Sequence, residues 1–408
     1  MTLAPEAVQA ETAETFVVDA DTHLTEPWDL WTSRAPAKYA ERVPQVKTVD
    51  GQARWILDGS IELGPARAGG VVRRDGTKVN TVDELWSMTP ELGHAGATLV
   101  GPRLEMMDKA GIWAHLLYPN AVGFGGQAIM ACKDAELRKL VITIFNDAMA
   151  EIQEESGQRL FPSGLLPWWD IPASMKELER IKSLGLHALN TSTDPQDHGY
   201  PDLGEPVMDD LWAAAAEAKL PLNFHIGASF SAMSFYGTSN WPSTSPDDLK
   251  MALGSCMMFL LNSRVMGNFI YSGILERHPD LKIVSIESGI GWIPFMLEAL
   301  DYQMGEIDPK RISKLSMLPS EYFERQIYAC FWFEANNVVN DIERLGVDHA
   351  LFETDFPHPT CLYPEAIPRA LKALDGADST LKRKVLGENA AKLYNLPTPP
   401  PGSTSIQA

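Results

Sequence analysis

Between residues 103 and 356 helical runs alternate with short apolar segments, and this rhythm restricts the fold more than any other property of the chain. Helices are expected at 103–110, 134–156, 173–184, 207–219, 247–263, 268–278, 292–304 and 336–345. Strands are expected at 111–118, 160–169, 186–193, 221–227, 282–289, 328–333 and 349–356, preceded by one at 16–23. Neighbouring parallel strands need a crossover of a dozen or more residues, which each helix supplies. Eight such βα units close a barrel, so the expected class is α/β, a distorted (β/α)8 TIM barrel. Helices at 365–375 and 380–393 complete it.

The rhythm is interrupted once. Residues 27–101 are rich in Pro, Gly and Trp and lack helical periodicity. Short strands are expected at 53–59 and at 71–79, the second turned at Asp75-Gly76, so a β-rich insertion follows the first strand as a cap or arm. The organisation expected is a flexible N-terminus (1–15), a single barrel domain (16–396) and a proline-bearing disordered tail (397–408).

Charge and cysteine content narrow the function. A net charge of -20 argues against electrostatic binding to nucleic acid or an anionic membrane. Cys132, Cys256, Cys330 and Cys361 are too dispersed for a disulfide framework or a cysteine zinc site. The first fifteen residues lack the pattern of a signal peptide, and the most apolar segment, 251–261, is too short to cross a bilayer. A soluble cytoplasmic protein is expected.

In such a barrel the chemistry gathers at the C-terminal ends of the strands. In the first strand Asp19, Asp21 and His23 fall at spacing two, which on an extended backbone points all three to one side. Buried charge must be paired or ligated, so this face is built to hold a cation or a proton. His187 and Asn190 lie in the fourth strand, His225 ends the fifth, Glu287 the sixth and Asp355 the eighth. A lone strand histidine is ordinarily a hydrogen-bonded core residue. Convergence of two carboxylates and two histidines at one mouth instead favours a metal site with nitrogen and oxygen ligands: Asp21, His23, His225 and Asp355. Glu287 is a further ligand, a general base or the partner of a histidine. His358, three residues past Asp355, is placed to orient a ligand or move a proton. His278 precedes its strand and reads as structural, whereas His94, His115, His198 and His349 lack a supporting neighbour. Arg67, Arg73, Arg74 and Arg103 are each candidates to bind a substrate carboxylate, against the ordinary reading as solvated arginines. Neither a phosphate-cradling glycine loop nor a Gly-x-Ser-x-Gly elbow is present.

Four motifs carry a resemblance. They are Asp-x-Asp-x-His-x-x-Glu from Asp19 to Glu26, Asn223-Phe-His225, the run from Arg277 through Glu287-Ser-Gly-Ile-Gly-Trp to Pro294, and Thr354-Asp355-Phe-Pro-His358-Pro. Together they resemble the amidohydrolase superfamily, and within it the branch that includes aminocarboxymuconate semialdehyde decarboxylase and the resorcylate-type decarboxylases. The resemblance implies a divalent metal, Zn or Mn with Fe as an alternative, held by Asp21, His23, His225 and Asp355. Asp21 replaces the usual first His of His-x-His, Glu287 stands where the decarboxylases carry a catalytic His, and strand four offers no lysine to bridge two metals. The expected activity is non-oxidative decarboxylation or hydrolysis of a small carboxylated or carbonyl substrate, with Glu287 and His358 handling the proton. A second reading, similar to 2-aminoisobutyrate hydroxylase, is a dinuclear iron or manganese oxygenase in which Glu287 and Glu26 supply extra oxygen ligands. A third is a metal-bearing partner subunit of such a complex. The partners expected are a small-molecule substrate and further copies of the chain, with or without a homologous subunit.

Overall fold

The computed structural model describes residues 14–67, 69–229, 231, 247–312, 314–397, 399–400 and 406–407. Its strands, numbered in chain order, fall into three groups. The barrel strands are β2 (Val18–His23), β6 (Ala114–Tyr118), β7 (Leu160–Pro162), β8 (Gly164–Leu165), β9 (Leu189–Asn190), β10 (Leu222–His225), β11 (Ile283–Ile286), β12 (Ile327–Phe331) and β13 (Ala350–Phe352). Between β2 and β6 lie β3 (Gln45–Val49), β4 (Gln52–Leu57) and β5 (Ile61–Pro65), and the chain ends pair through β1 (Glu14–Thr15) and β14 (Ile406–Gln407).

The barrel strands form two parallel sheets, β13-β12-β11-β10-β9-β8 and β2-β6-β7. The sheets meet at two seams. At one, β7 and β8 are halves of the third strand broken at Ser163: Pro162 has no N–H to donate, and Asn146 replaces the ladder by bonding both the N–H (2.8 Å) and the carbonyl (2.9 Å) of Leu165. Gly164 lets the helix Ile171–Ser183 approach, since a Cβ there would stand 2.7 Å from Ile181. At the other seam Thr22 bridges Phe356, with Asp355 N–H donating to the Asp21 carbonyl (2.9 Å) and His23 N–H to that of Phe356 (2.8 Å). The architecture is the expected distorted (β/α)8 arrangement, and the second seam brings the first and eighth strands together where their polar residues cluster.

The insertion is an antiparallel sheet, β3-β4-β5, followed by a hairpin and the helix Val82–Ser87. Trp55 of β4 and Trp31 meet edge to face at 5.3 Å in a core shared with the helix Ala135–Glu155. The hairpin turns at Gly76 (φ 85°), as Asp75-Gly76 predicts, but pairs only at Val72 and Lys78. Its strands are tied down instead: Val71 N–H donates to the Pro357 carbonyl (2.9 Å) and Lys78 Nζ to that of Cys361 (2.6 Å).

Two details of the helices differ from the sequence reading. The helices expected at 247–263 and 268–278 are one long helix, Asp247–Tyr271, with a short turn Ile274–Arg277 after Gly273. Asn262, at the end of the first expected helix, points inward and donates to the Phe224 and Ile286 carbonyls, both at 3.2 Å. Between residues 304 and 328, where the sequence reading places no element, lies the helix Pro319–Gln326, started by Glu321, which accepts from Leu318 N–H at 2.7 Å. The flexible N-terminus (1–15) and disordered tail (397–408) lie largely outside the described residues, but Glu14–Thr15 and Ile406–Gln407 pair antiparallel. Among the described residues no helix is long and apolar enough to cross a membrane.

Candidate metal centre

Asp21 and His23 occupy the end of β2, His225 the end of β10, and Glu287 and Asp355 follow β11 and the eighth strand. Burial of all five is nearly complete. Glu287 (φ 55°) and Asp355 (φ 59°) both take the left-handed backbone conformation, disfavoured for side chains with a Cβ. Strain of this kind, on the order of 1–3 kcal/mol each, persists where the surroundings over-determine it. Here it turns two carboxylates into one mouth.

The donor atoms converge. His225 Nδ1–H donates to the Ile226 carbonyl at 2.7 Å, and burial lowers its pKa to about 4, so the ring is neutral and offers Nε2 as a lone pair. That nitrogen lies 3.2 Å from His23 Nε2 and 3.5 Å from Asp21 Oδ1. His23 Nε2 is in turn 3.6 Å from Asp21 Oδ1 and 3.7 Å from Asp355 Oδ1. Both carboxylate oxygens of Asp21, and Oδ1 of Asp355, are buried without a hydrogen-bond partner. Burial, reinforced by Asp355 and Asp19, pushes the Asp21 pKa well up. Acceptors facing acceptors are stable only around a shared cation or proton. Ligand atoms about 2.1 Å from a shared ion lie roughly 3–3.5 Å from one another, close to these separations. Asp21, His23, His225 and Glu287 form one such group, and His23, Glu287, Asp355 and His358 an overlapping one. The residues fit a divalent metal with nitrogen and oxygen ligands.

A second layer fixes the first. His358 stacks on His23 (centroids 3.6 Å apart), places Nδ1 3.2 Å from Asp355 Oδ1 and turns Nε2 to Asn120 Oδ1 at 2.9 Å. Thr360 donates to the other Asp355 oxygen at 2.6 Å. Asp19 accepts from Thr354 N–H (2.9 Å) and Oγ (2.5 Å), tying β2 to the eighth strand beneath the site. Arg103, fully buried, bonds the carbonyls of His23 and Gly96 and meets His115 Nδ1 at 3.2 Å. Burial lowers the Arg103 pKa to about 9 and raises that of Asp19 to about 7. Arg103 is thus scaffold, not a substrate ligand, and His115 has the neighbours that the sequence hides.

Other candidates resolve individually. Glu26 accepts from the N–H groups of Asn120 (2.7 Å) and Ala121 (3.1 Å), so it braces a loop and belongs to neither ligand group, contrary to its place in the dinuclear reading. His187 bonds the Tyr394 carbonyl (2.8 Å) and Asn190 that of Phe124 (2.8 Å). His278 pairs with Asp209 at 3.1 Å, a structural role as expected. Arg73 is paired with Glu84. Arg67 lines a cavity of about 250 Å³ beside the cluster, together with Trp86, Phe124, Ile226, Met258, Phe259, Glu287 and His358. One of its terminal nitrogens is buried without a partner, and its guanidinium lies 5.3 Å from the Trp86 ring centre.

Glu353 is a residue that the motif reading passes over. Its Oε2 accepts from Glu287 N–H at 3.1 Å while Oε1 has no hydrogen-bond partner, and burial beside Asp21 pushes its pKa well up. The spacing of two that groups the acids of β2 links Glu353 to Asp355 and is the signal that finds it.

The chain matches the amidohydrolase family profile over residues 18–396. It is 25% identical over 279 residues to a gamma-resorcylate decarboxylase from Rhizobium sp. (strain MTP-10005), covering 65% of this chain and 79% of the relative. An amidohydrolase structure from Mycobacterium avium subsp. paratuberculosis K-10 superposes with a TM-score of 0.71 at 20% identity, covering 93% of this chain and 99% of that one. A dihydroxybenzoic acid decarboxylase from Polaromonas sp. JS666, with bound manganese and the inhibitor 2-nitroresorcinol, gives 0.58 at 18% identity, covering 93% and 97%. At such identities the structural likeness speaks for the fold.

Proposed function

The chain belongs to the amidohydrolase family, and we propose that it is a metal-dependent carboxy-lyase that removes CO2 from a small hydroxybenzoate-type acid. The observation that carries this reading is the set of unpartnered buried oxygens of Asp21 and Asp355 facing the His23 and His225 nitrogens, next to a cavity that Glu287 and His358 line together with aromatic walls and one arginine. The gamma-resorcylate decarboxylase relative points the same way.

Asp21, His23, His225 and Asp355 would hold one divalent cation, manganese by analogy with the Polaromonas enzyme. When bound, it supplies Lewis-acid polarisation of a substrate oxygen. The remaining work belongs to the chain. Phe124, Ile226 and Trp86 hold an aromatic ring flat, and Arg67 draws an anion into the cavity. Glu287 lines the cavity, and burial with Asp355, Asp21 and Glu353 pushes its pKa well up, so it acts as the acid. As the bond between ring carbon and carboxylate breaks, its electron pair stays on the ring, CO2 departs, and that carbon takes the Glu287 proton. Solvent then reprotonates Glu287. His358 acts as a positioning residue through Asp355.

Manganese-loaded protein incubated with gamma-resorcylate and a panel of related hydroxybenzoates should release one CO2 per acid consumed, with release abolished by a chelator and restored by manganese. No release from any acid at full metal loading would overturn the reading. Arg67→Met should raise KM on the order of ten- to a hundredfold, the loss of a charged hydrogen bond, with kcat little changed.

A further inference from the structure

The cavity beside the metal cluster has an annex. A second cavity of about 350 Å³ shares Leu85, Ser255, Phe259, Pro359 and Thr360 with the first. Its further walls include Val71 and Val79 of the insertion hairpin, Val82 at the start of the helix that follows, and Met251, Ala252 and Cys256 of the helix Asp247–Tyr271. The insertion and that helix are locked together at this point, since Val82 N–H donates to Asp248 Oδ1 at 2.6 Å.

The chemistry of the two chambers differs. The first carries Arg67, Glu287 and His358, whereas among the described residues the second has no cationic side chain in its walls. Most polar groups of the second are engaged: Asp248 accepts from Val82, Thr81 Oγ accepts from Glu84 N–H at 3.3 Å, Ser255 Oγ donates to the Met251 carbonyl at 3.0 Å and Thr360 to Asp355, while Asn80 sits at the exposed rim. The rest of its lining is aliphatic carbon, the Cys256 thiol and the ring of Phe259 at the junction. An apolar cavity of about 150 Å³ accepts one benzene ring, so a single-ring acid fills the first chamber and leaves the second empty.

We infer that the substrate is an aromatic acid bearing an uncharged apolar substituent of several carbons, whose acidic ring occupies the chamber beside the metal cluster and whose substituent lies in the chamber between the insertion hairpin and the helix Asp247–Tyr271. This rests on the reading above only in taking the first cavity as the substrate site. The insertion thereby sets specificity, because Val71, Val79, Val82 and Leu85 all come from it.

Equilibrium binding of salicylate and of its 4- and 5-substituted methyl, ethyl, butyl and phenyl derivatives to manganese-loaded protein, read by calorimetry, tests this. Burying a methylene is worth ~0.8 kcal/mol, about fourfold in affinity, so at one ring position butyl should bind at least about thirtyfold more tightly than the parent. Ala252→Trp fills the annex from an exposed helical position and should bring that gain below about threefold while leaving salicylate itself unaffected; Cys256→Phe should act the same way. A gain below threefold at both ring positions, or one that survives both substitutions, overturns the inference. So does a gel-filtration result in which Ala252→Trp splits a dimer without changing the ligand series, because the groove then houses a second copy. Calorimetry needs no turnover: alkyl gain without CO2 release sinks only the decarboxylase reading, and CO2 release without alkyl gain sinks only this one.

Discussion

Stripped of metal, Asp21→Asn protein should unfold at a higher temperature than wild-type protein stripped in the same way, and it should stay inactive when manganese is returned. Both carboxylate oxygens of Asp21 are buried without partners, and Asp355 and Asp19 push its pKa up further. Without a cation that carboxylate opposes folding, and the amide removes the opposition. Relief of one buried unsatisfied group is worth about 1–3 kcal/mol, a rise of a few degrees in a chain this long. With manganese at 1,000 times its Kd the order reverses, because binding adds ~4.1 kcal/mol to wild type alone. Activity should fall on the order of 10³-fold or more, the equivalent of several kcal/mol of lost Lewis-acid stabilisation. The pH dependence has a definite sign. Asp21, Glu287 and Glu353 all have folded-state pKa values above their ordinary ones. Their contribution to the stability of the stripped protein is fully present below the ordinary carboxylate range and is lost as pH rises through the shifted values. Thermal melts of both proteins, with chelator and with manganese, across pH check all of this; equal melting temperatures for the two stripped proteins would refute the cation-site assignment of Asp21.

The barrel was legible because its signal is repetitive: each strand candidate from 111–118 to 349–356 overlaps a strand of the structure, and the helix at 134–156 matches Ala135–Glu155 nearly residue for residue. Errors arose where a polar residue serves the interior. The helix expected to stop at 263 runs on to Tyr271, and Asn262 within it bonds two strand-end carbonyls. The site was legible in part for the same reason that the strands were. Asp21, His23, His225 and Asp355 end strands, and topology brings strand ends to one mouth. What distance in sequence hides is the supporting layer. Arg103 lies in a helix and bonds the carbonyl of His23, 80 residues earlier, and Asp19 is joined to Thr354 across 335 residues. No local pattern announces such pairs, since a backbone carbonyl is the same in every residue. Arg67 was one arginine among several until its wall position and unpartnered nitrogen set it apart.

Glu287→Gln separates proton transfer from metal holding. Glu287 Oε2 lies 3.5 Å from His225 Nδ1, and Glu287 belongs to both possible ligand groups, so geometry allows either role. Its position favours the acid. Glu287 lines the cavity proposed to take the substrate, whereas Asp21 and Asp355 do not. The charge balance agrees: one divalent cation offsets Asp21 and Asp355, Arg103 offsets Asp19, and Glu287 and Glu353 remain to be neutral. Glutamine keeps the shape and the Glu353 contact, which runs through the backbone N–H, and removes only the transferable proton. Turnover should fall about 10²–10⁴-fold, the usual weight of general acid catalysis, with KM within a few-fold of wild type and one metal per chain retained. Glu287→Asp, which keeps the acid but shortens its reach, should fall between the two in kcat. Loss of metal from Glu287→Gln, with kcat recovering as manganese is raised, would instead make Glu287 a ligand and leave the source of the proton elsewhere, with His358 as the next group to replace.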